Sequence, residues 1–167
     1  MKIMTRIFAI PGLLLVLVSF LPLESRGRED DTTLRVFIFG GQSNMVGSDS
    51  KVKDIQRFPP FEGLEKPQAG VRFKYILGRQ NKTKSDGWVD LQPVNNVVGP
   101  ELSFARKVTR HIKAPIAIIK CAAGGTHLGG DWNPDEPIGF KMYPLALDLV
   151  RSSLAELDRQ KIKYRIE

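Results

Sequence analysis

VFIFGGQSNMVG, residues 36–47, runs four apolar or aromatic side chains directly into two glycines and then into the polar triplet Gln42-Ser43-Asn44. The run itself starts earlier. LRVFIF, residues 34–39, is rich in β-branched and aromatic residues and ends at Gly40-Gly41, the pattern of a strand buried on both faces as in a parallel sheet. Ser43 then lies on the lip of a buried strand, with glycines clearing the space around it. Position and spacing leave two readings open. Ser43 caps a short helix, since serine is a favoured N-cap and Asn44 is at home in turns, or its hydroxyl is displayed to react.

Outward from this stretch the chain alternates. Residues 48–70 carry Pro, Gly and charge and read as a long surface loop. VRFKYIL (71–77) alternates with Val71, Phe73, Tyr75 and Leu77 on one side, which predicts a half-buried strand or hairpin arm. Residues 51–98 together read as an insertion between core elements. Gly99-Pro100, with Glu101 in the first turn, opens a helix whose apolar stripe is Leu102, Ala105, Val108 and Ile112. IAIIK (116–120) is a second buried strand, followed by the glycine-rich CAAGGTHLGGDWNPDEPIG. From Tyr143, the residues Ala146, Leu147, Val150, Leu154 and Leu157 recur at helical spacing, and KYRIE (163–167) starts another strand. Alternating β and α elements imply a parallel sheet with helices on its faces. Two full strands and the edge of a third do not close such a domain, so the chain is expected to be the N-terminal portion of a larger one.

Residues 1–26 have the order of a secretory signal peptide: Lys2 and Arg6, the apolar IFAIPGLLLVLVSFL, then a polar ESRG with cleavage expected after Ser25. The apolar run is too short for a typical membrane span, though an uncleaved N-terminal anchor is the alternative. Export to the periplasm or outside the cell follows as the expectation, with no stable membrane partner. The domain is then 32–167, about 140 residues, enough for one real core. Cys121 is the lone cysteine, which excludes a disulfide framework within the chain. It directly follows a buried strand and reads as a small core residue. The net charge is +7, but the basic residues, Arg79 among them, are dispersed and not interleaved with aromatic side chains as a base-stacking platform requires, so nucleic acid is not an expected partner.

In open α/β sheets ligands bind at the carboxyl ends of the strands, where GGQSNMVG and AAGGTHLGG both fall. Known serine and phosphate motifs do not fit. Gly41-Gln42-Ser43-Asn44 is followed by Met45 instead of the glycine of a nucleophile elbow, and Gly47 is followed by Ser48 instead of the lysine of a P-loop. Neither loop has the dinucleotide pattern of glycines. His127 with Asp131 and Asp135 has the residue types of a metal site, but loop Asp and His usually serve as hydrogen-bonded turn residues. No metal and no cofactor are expected.

Four stretches carry a resemblance: GQSNM (41–45), VGPELSFA (98–105), AAGGT (122–126) and Trp132 soon after. Together, and in this order, they resemble the sialate O-acetylesterase-like family of the SGNH (GDSL-like) hydrolases, related to a carbohydrate esterase family. The resemblance spans residues 34–167 and implies a three-layer α/β/α sandwich of the SGNH or flavodoxin-like type. It implies Ser43 as nucleophile and Gly124 as an oxyanion-hole donor beside the Ser43 N–H. Gly125 and Thr126 would complete that loop, His127 would border the substrate, and Gln42 and Asn44 would shape the turn at the substrate's edge. The implied substrate is an acetylated carbohydrate, and the implied reaction is hydrolysis of its O-acetyl ester through an acyl-enzyme.

The chain departs from the family pattern at its end. The family continues with a Gln-Gly-Glu segment and a late Asp-x-x-His, both beyond Glu167. A serine without a general base is a poor nucleophile. Two histidines are present. His111 ends a helix, where a cation suits the dipole, and His127 alone lies near the glycine loop. The alternative to an active esterase is a catalytically incomplete carbohydrate-binding fragment, or the remnant of a gene for one.

Overall fold

The computed structural model describes residues 32–81 and 83–167, so the expected signal peptide, residues 1–26, lies outside the described residues. Strand β1 (Leu34–Gly41) pairs in parallel with β5 (Ile116–Ala122) on one side and with β6 (Tyr164–Ile166) on the other. Strand β2 (Gln68–Leu77) runs parallel to β5 on its far side. Two short strands, β3 (Thr83–Lys84) and β4 (Val89–Leu91), pair antiparallel with successive parts of β2. The sheet order is β3-β2-β5-β1-β6, with β4 beside β2.

Strand β5 is buried along its whole length, and its alternate residues divide the core in two. Ile116 and Ile118 face helix α3 (Pro100–His111), where Leu102 and Ala105 are buried among Val71, Phe73 and Leu91. Ala117, Ile119 and Cys121 face the opposite way, onto helix α4 (Met142–Arg159), against Met142, Leu149 and Leu157. The result is a three-layer α/β/α sandwich on a mostly parallel sheet. Phe104 of α3 meets Phe37 and Phe39 of β1 edge-on, with centroids 4.8 and 5.2 Å apart, a favoured aromatic geometry.

Four expectations need correcting. The stretch 51–98 is not only an elaboration, because β2 lies within it and shares seven registered positions with β5, from Val71↔Ile116 to Leu77↔Ala122. Its polar alternate residues meet the α4 side: Lys74 Nζ lies 2.7 Å from Glu156 Oε2 of α4, and Arg72 donates to Gln160 Oε1 just past the helix. The supposed surface loop at 48–70 contains helix α2 (Val52–Ile55) and a 3₁₀ turn, Pro59–Phe61, and it buries Ile55 and Leu64 against the α3 side. Strand β1 is buried on both faces only from Leu34 to Val36; Ile38 is 47% exposed. On α4 the buried stripe runs through Leu149 instead of Leu147, and it includes Ser153, whose hydroxyl donates to Leu149 O at 2.6 Å. That helical back-bond satisfies the buried hydroxyl and lets a polar residue sit in an apolar stripe.

Candidate functional site

The registers fix where the strands stop. Gly41, Ala122 and Leu77 are level across β1, β5 and β2. The three loops leaving this edge therefore start side by side, at the carboxyl end where such sheets bind ligands.

From β1 the chain turns through Gln42 into α1, a single turn covering Ser43–Val46. Gln42 holds the N-cap position, and no side chain caps the helix. The capping reading of Ser43 is thereby excluded. Ser43 Oγ instead donates to Gln42 Oε1 at 3.1 Å, its one hydrogen bond among the described residues. Gly47 closes the turn at φ 86°, donating to Ser43 O. A Cβ there would overlap the Val98 carbonyl, so the loop and the approach to α3 fit together only with glycine. Asn44 is exposed and lines a cavity of about 260 Å³ with Gly47, Phe61, Leu64 and Val98.

From β5 the chain continues through Ala123, whose N–H donates to Gly41 O at 3.1 Å and ties the two loops together. A Cβ built on Gly124 would lie 3.8 Å from Ser43 Cβ, ordinary contact. Ser43 and Gly124 are thus neighbours across adjacent strand ends. Neither backbone N–H has an acceptor among the described residues. Two free N–H groups beside one hydroxyl are the donor set that an oxyanion requires.

The remaining predicted residues divide. Thr126 is buried, donates to Ala123 O at 2.8 Å and accepts from Trp132 Nε1 at 3.1 Å, so it pins the loop. Gly125 sits at φ 72° beside the Arg79 guanidinium. Asp131 is buried, and its carboxylate accepts from the Phe140 N–H at 2.7 Å and the His127 N–H at 3.1 Å. The Phe140 N–H first, with the His127 N–H and imidazole adding to it against burial, holds the Asp131 carboxyl below the usual carboxylate range. The exposed His127 ring has Nε2 3.7 Å from Asp131 Oδ2, and no hydrogen bond joins it to Ser43. His111 ends α3 just before β5 begins, at the amino edge of the sheet. Among the described residues no three His, Cys, Asp or Glu side chains converge to hold a metal ion.

One residue at this edge, and an ion pair behind it, were given no role in the site from the sequence. Arg79 follows β2 directly after Gly78, and its Nε–H donates to Gly124 O at 2.9 Å. Its guanidinium lies 4.7 Å from the centroid of Phe140. The rule that picked out Ser43, a polar residue just past the end of a parallel strand, selects Arg79 too once β2 is counted in the sheet. Behind the site, Lys120 of β5 and Glu101 of α3 form a buried pair, Nζ to Oε2 2.5 Å, packed against Gly99. Burial lowers the Lys120 pKa, and Glu101 works in the opposite direction.

A comparison with curated proteins returned no match. Among solved structures, the chain is similar to the X-ray structure of a protein from Arabidopsis thaliana at 21% identity and a TM-score of 0.47, over 71% of this chain and 50% of that one. The chain thus spans half the length of that protein. Residues 33–163, which hold the Ser43 turn, the Gly124 loop and both flanking helices, match the family described as carbohydrate esterase, sialic acid-specific acetylesterase, and the chain belongs to that family.

Proposed function

We propose that this protein hydrolyses O-acetyl esters on carbohydrates in the manner of a sialate O-acetylesterase, with Ser43 as nucleophile. The observation that carries the reading is the pairing of Ser43 with Gly124: a hydroxyl released from capping, beside two backbone N–H groups that have no acceptor among the described residues. Ser43 Oγ attacks the acetyl carbonyl, and the developing oxyanion is received by the Ser43 and Gly124 N–H groups. The sugar oxygen leaves with the proton, giving an acetyl-serine and a free sugar hydroxyl. Water then releases acetate and regenerates the serine.

No described residue brings a proton acceptor to Ser43. The proposal assigns it to an Asp-x-x-His segment of the kind the family resemblance implies. The 167-residue chain alone is then expected to turn over p-nitrophenyl acetate slowly at most. Joining such a segment to it should restore turnover, and Ser43→Ala in the joined protein should lower it by at least about 10³-fold. Fast turnover by the short chain that His127→Ala removes would move the base to His127. Turnover that survives Ser43→Ala would end the assignment of Ser43.

That no described residue stands as a base beside Ser43 favours one other reading, a carbohydrate-binding protein without turnover. Binding of an O-acetylated sugar with no acetate release from the joined protein would support it. The order of residues 1–26, basic then apolar then polar, supports export, which would put the substrate outside the cytoplasm. A mature N-terminus found near residue 26 in secreted material would agree, and one at Met1 in the membrane fraction would refute it.

A further inference from the structure

The arginine at the edge of this site is held in a way that surface arginines seldom are. Arg79 is exposed, yet three contacts fix it: its Nε–H to Gly124 O at 2.9 Å, its cationic plane 4.7 Å from the Phe140 centroid, and its Nη2 end against Gly125. The third contact depends on glycine, because a Cβ at residue 125 would collide with Nη2 and the backbone there has φ 72°. The turn that delivers Arg79 is itself constrained, with Gln80 in the left-handed region at φ 57°. A free arginine would keep its rotamers, and immobilising it has an entropic cost. The polarity is also unanswered: no Asp or Glu among the described residues pairs with Arg79.

We propose that Arg79 is the anion-binding residue of this site, receiving a carboxylate on the sugar whose acetyl group reaches Ser43. The inference rests on the esterase reading above and gives its substrate a charge and a point of attachment. Gly124 is the common wall: a Cβ built on it would touch Ser43 Cβ, and Arg79 bonds its carbonyl oxygen. With Nε committed to Gly124, the outer edge of the guanidinium presents Nη1 and Nη2, two roughly parallel N–H donors matched to the two oxygens of a carboxylate. One guanidinium neutralises one negative charge. The Phe140 ring covers a face of the cation, which stabilises the charge and fixes the plane in which the carboxylate must lie. Being prearranged, the donors bind without a further ordering cost. The exposed position screens the interaction, so the expected gain is modest and dependent on ionic strength.

The test uses the whole 167-residue chain and a matched pair of probes, N-acetylneuraminic acid and its methyl ester, titrated while backbone amide and arginine Nε–H resonances are followed. The acid should bind about tenfold more tightly than the ester, as expected for a charge-assisted hydrogen-bonded pair at a partly screened site, and should shift Arg79, Gly124 and Gly125. Added salt should shrink the difference. Arg79→Gln should abolish the preference by weakening the acid about tenfold more than the ester, and Arg79→Lys, which keeps charge without the fork, should fall between. A thermal melt of each variant checks that the loop still folds. Equal binding of acid and ester by the wild type overturns the assignment of Arg79 and leaves the esterase reading standing. An Arg79→Gln variant that weakens both probes equally shows that Arg79 only braces Gly124, which also overturns it. Failure of either probe to bind or to shift Gly124 overturns this inference together with the carbohydrate site it rests on.

Discussion

Both glycine loops at the carboxyl edge of the sheet rest on a buried carboxylate, but the two carboxylates are neutralised by opposite means. Behind the Ser43 turn, Glu101 is paired with the ammonium of Lys120 at 2.5 Å, both side chains almost wholly buried. Beneath the Gly124 loop, Asp131 is held by peptide N–H groups of Phe140 and His127. An ion pair in a low-dielectric core is sensitive to loss of either member, because the survivor is left charged and dry. A carboxylate bonded by backbone N–H groups organises the loop that supplies them, and its loss is felt locally. The first device ties α3 to the central strand behind the Ser43 turn. The second shapes the loop that carries the partner N–H. The difference also extends to the side chains themselves. Around Gly124 the polar groups are spent within the loop, Trp132 on Thr126, Thr126 on the Ala123 carbonyl and Asp131 on the Phe140 and His127 N–H groups, whereas among the described residues the Ser43 hydroxyl bonds only its exposed neighbour Gln42. A braced loop beside a lightly held hydroxyl is the division of labour expected of scaffold and reagent.

Removing one member of the ion pair is the largest expected break. Glu101→Ala strands the Lys120 ammonium and should destabilise the fold by about 3–5 kcal/mol in a urea melt. Glu101→Ala combined with Lys120→Met should recover much of that loss. If the single variant melts like the wild type, the pair does not underpin this side of the site. Gly47→Ala comes next. The left-handed backbone and the collision with the Val98 carbonyl predict a loss of about 1–3 kcal/mol, with the Ser43 amide resonance displaced more than that of Gly124. Equal displacement of both would mean that the loops move as one.

Acid should separate the two loops further. The Asp131 carboxyl is depressed in the folded state, so its contribution to stability is fully present above its ordinary value of 3.8 and is lost as pH falls through the lower folded value. Melting temperature should therefore decline on acidification below that range. In Asp131→Asn this part of the decline should disappear, with amide exchange rising at His127 and Phe140 first. An unchanged acid profile in the variant would remove Asp131 as the brace. The smallest effect is expected at Leu128, which is 83% exposed; Leu128→Ser should leave the unfolding free energy from a urea melt within about 0.5 kcal/mol of the wild type. In folded protein Cys121, its thiol pushed up to about 12 by burial, should resist iodoacetamide. Rapid labelling would show that the α4 side of β5 opens.

The sequence by itself determined the elements whose periodicity and boundaries are local. A run of β-branched and aromatic residues ending in Gly40-Gly41, a helix opening at Gly99-Pro100 and β5, apolar but for Lys120, each declare their type within a few residues, and their alternation implies a parallel sheet. Ser43 stood out for the same local reason, a polar residue directly after a strand. Tertiary structure decided what depends on partners distant in the chain. Strand β2 looked half exposed because Arg72 and Lys74 are charged, and only the tertiary structure shows Glu156 of α4 and Gln160 just past it partly covering those positions. Whether Ser43 capped a helix or stood free depended on where α1 began, and Gln42 took that position. Asp131 passed for a metal ligand or a turn residue until the Phe140 N–H was seen to bond it. Arg79 passed for one solvated cation among many until the register of β2 against β5 brought it to the wall of the site. Periodicity reports which face of an element is apolar, but the partner of a charge or the neighbour of a loop is fixed only when strands far apart in sequence settle into register.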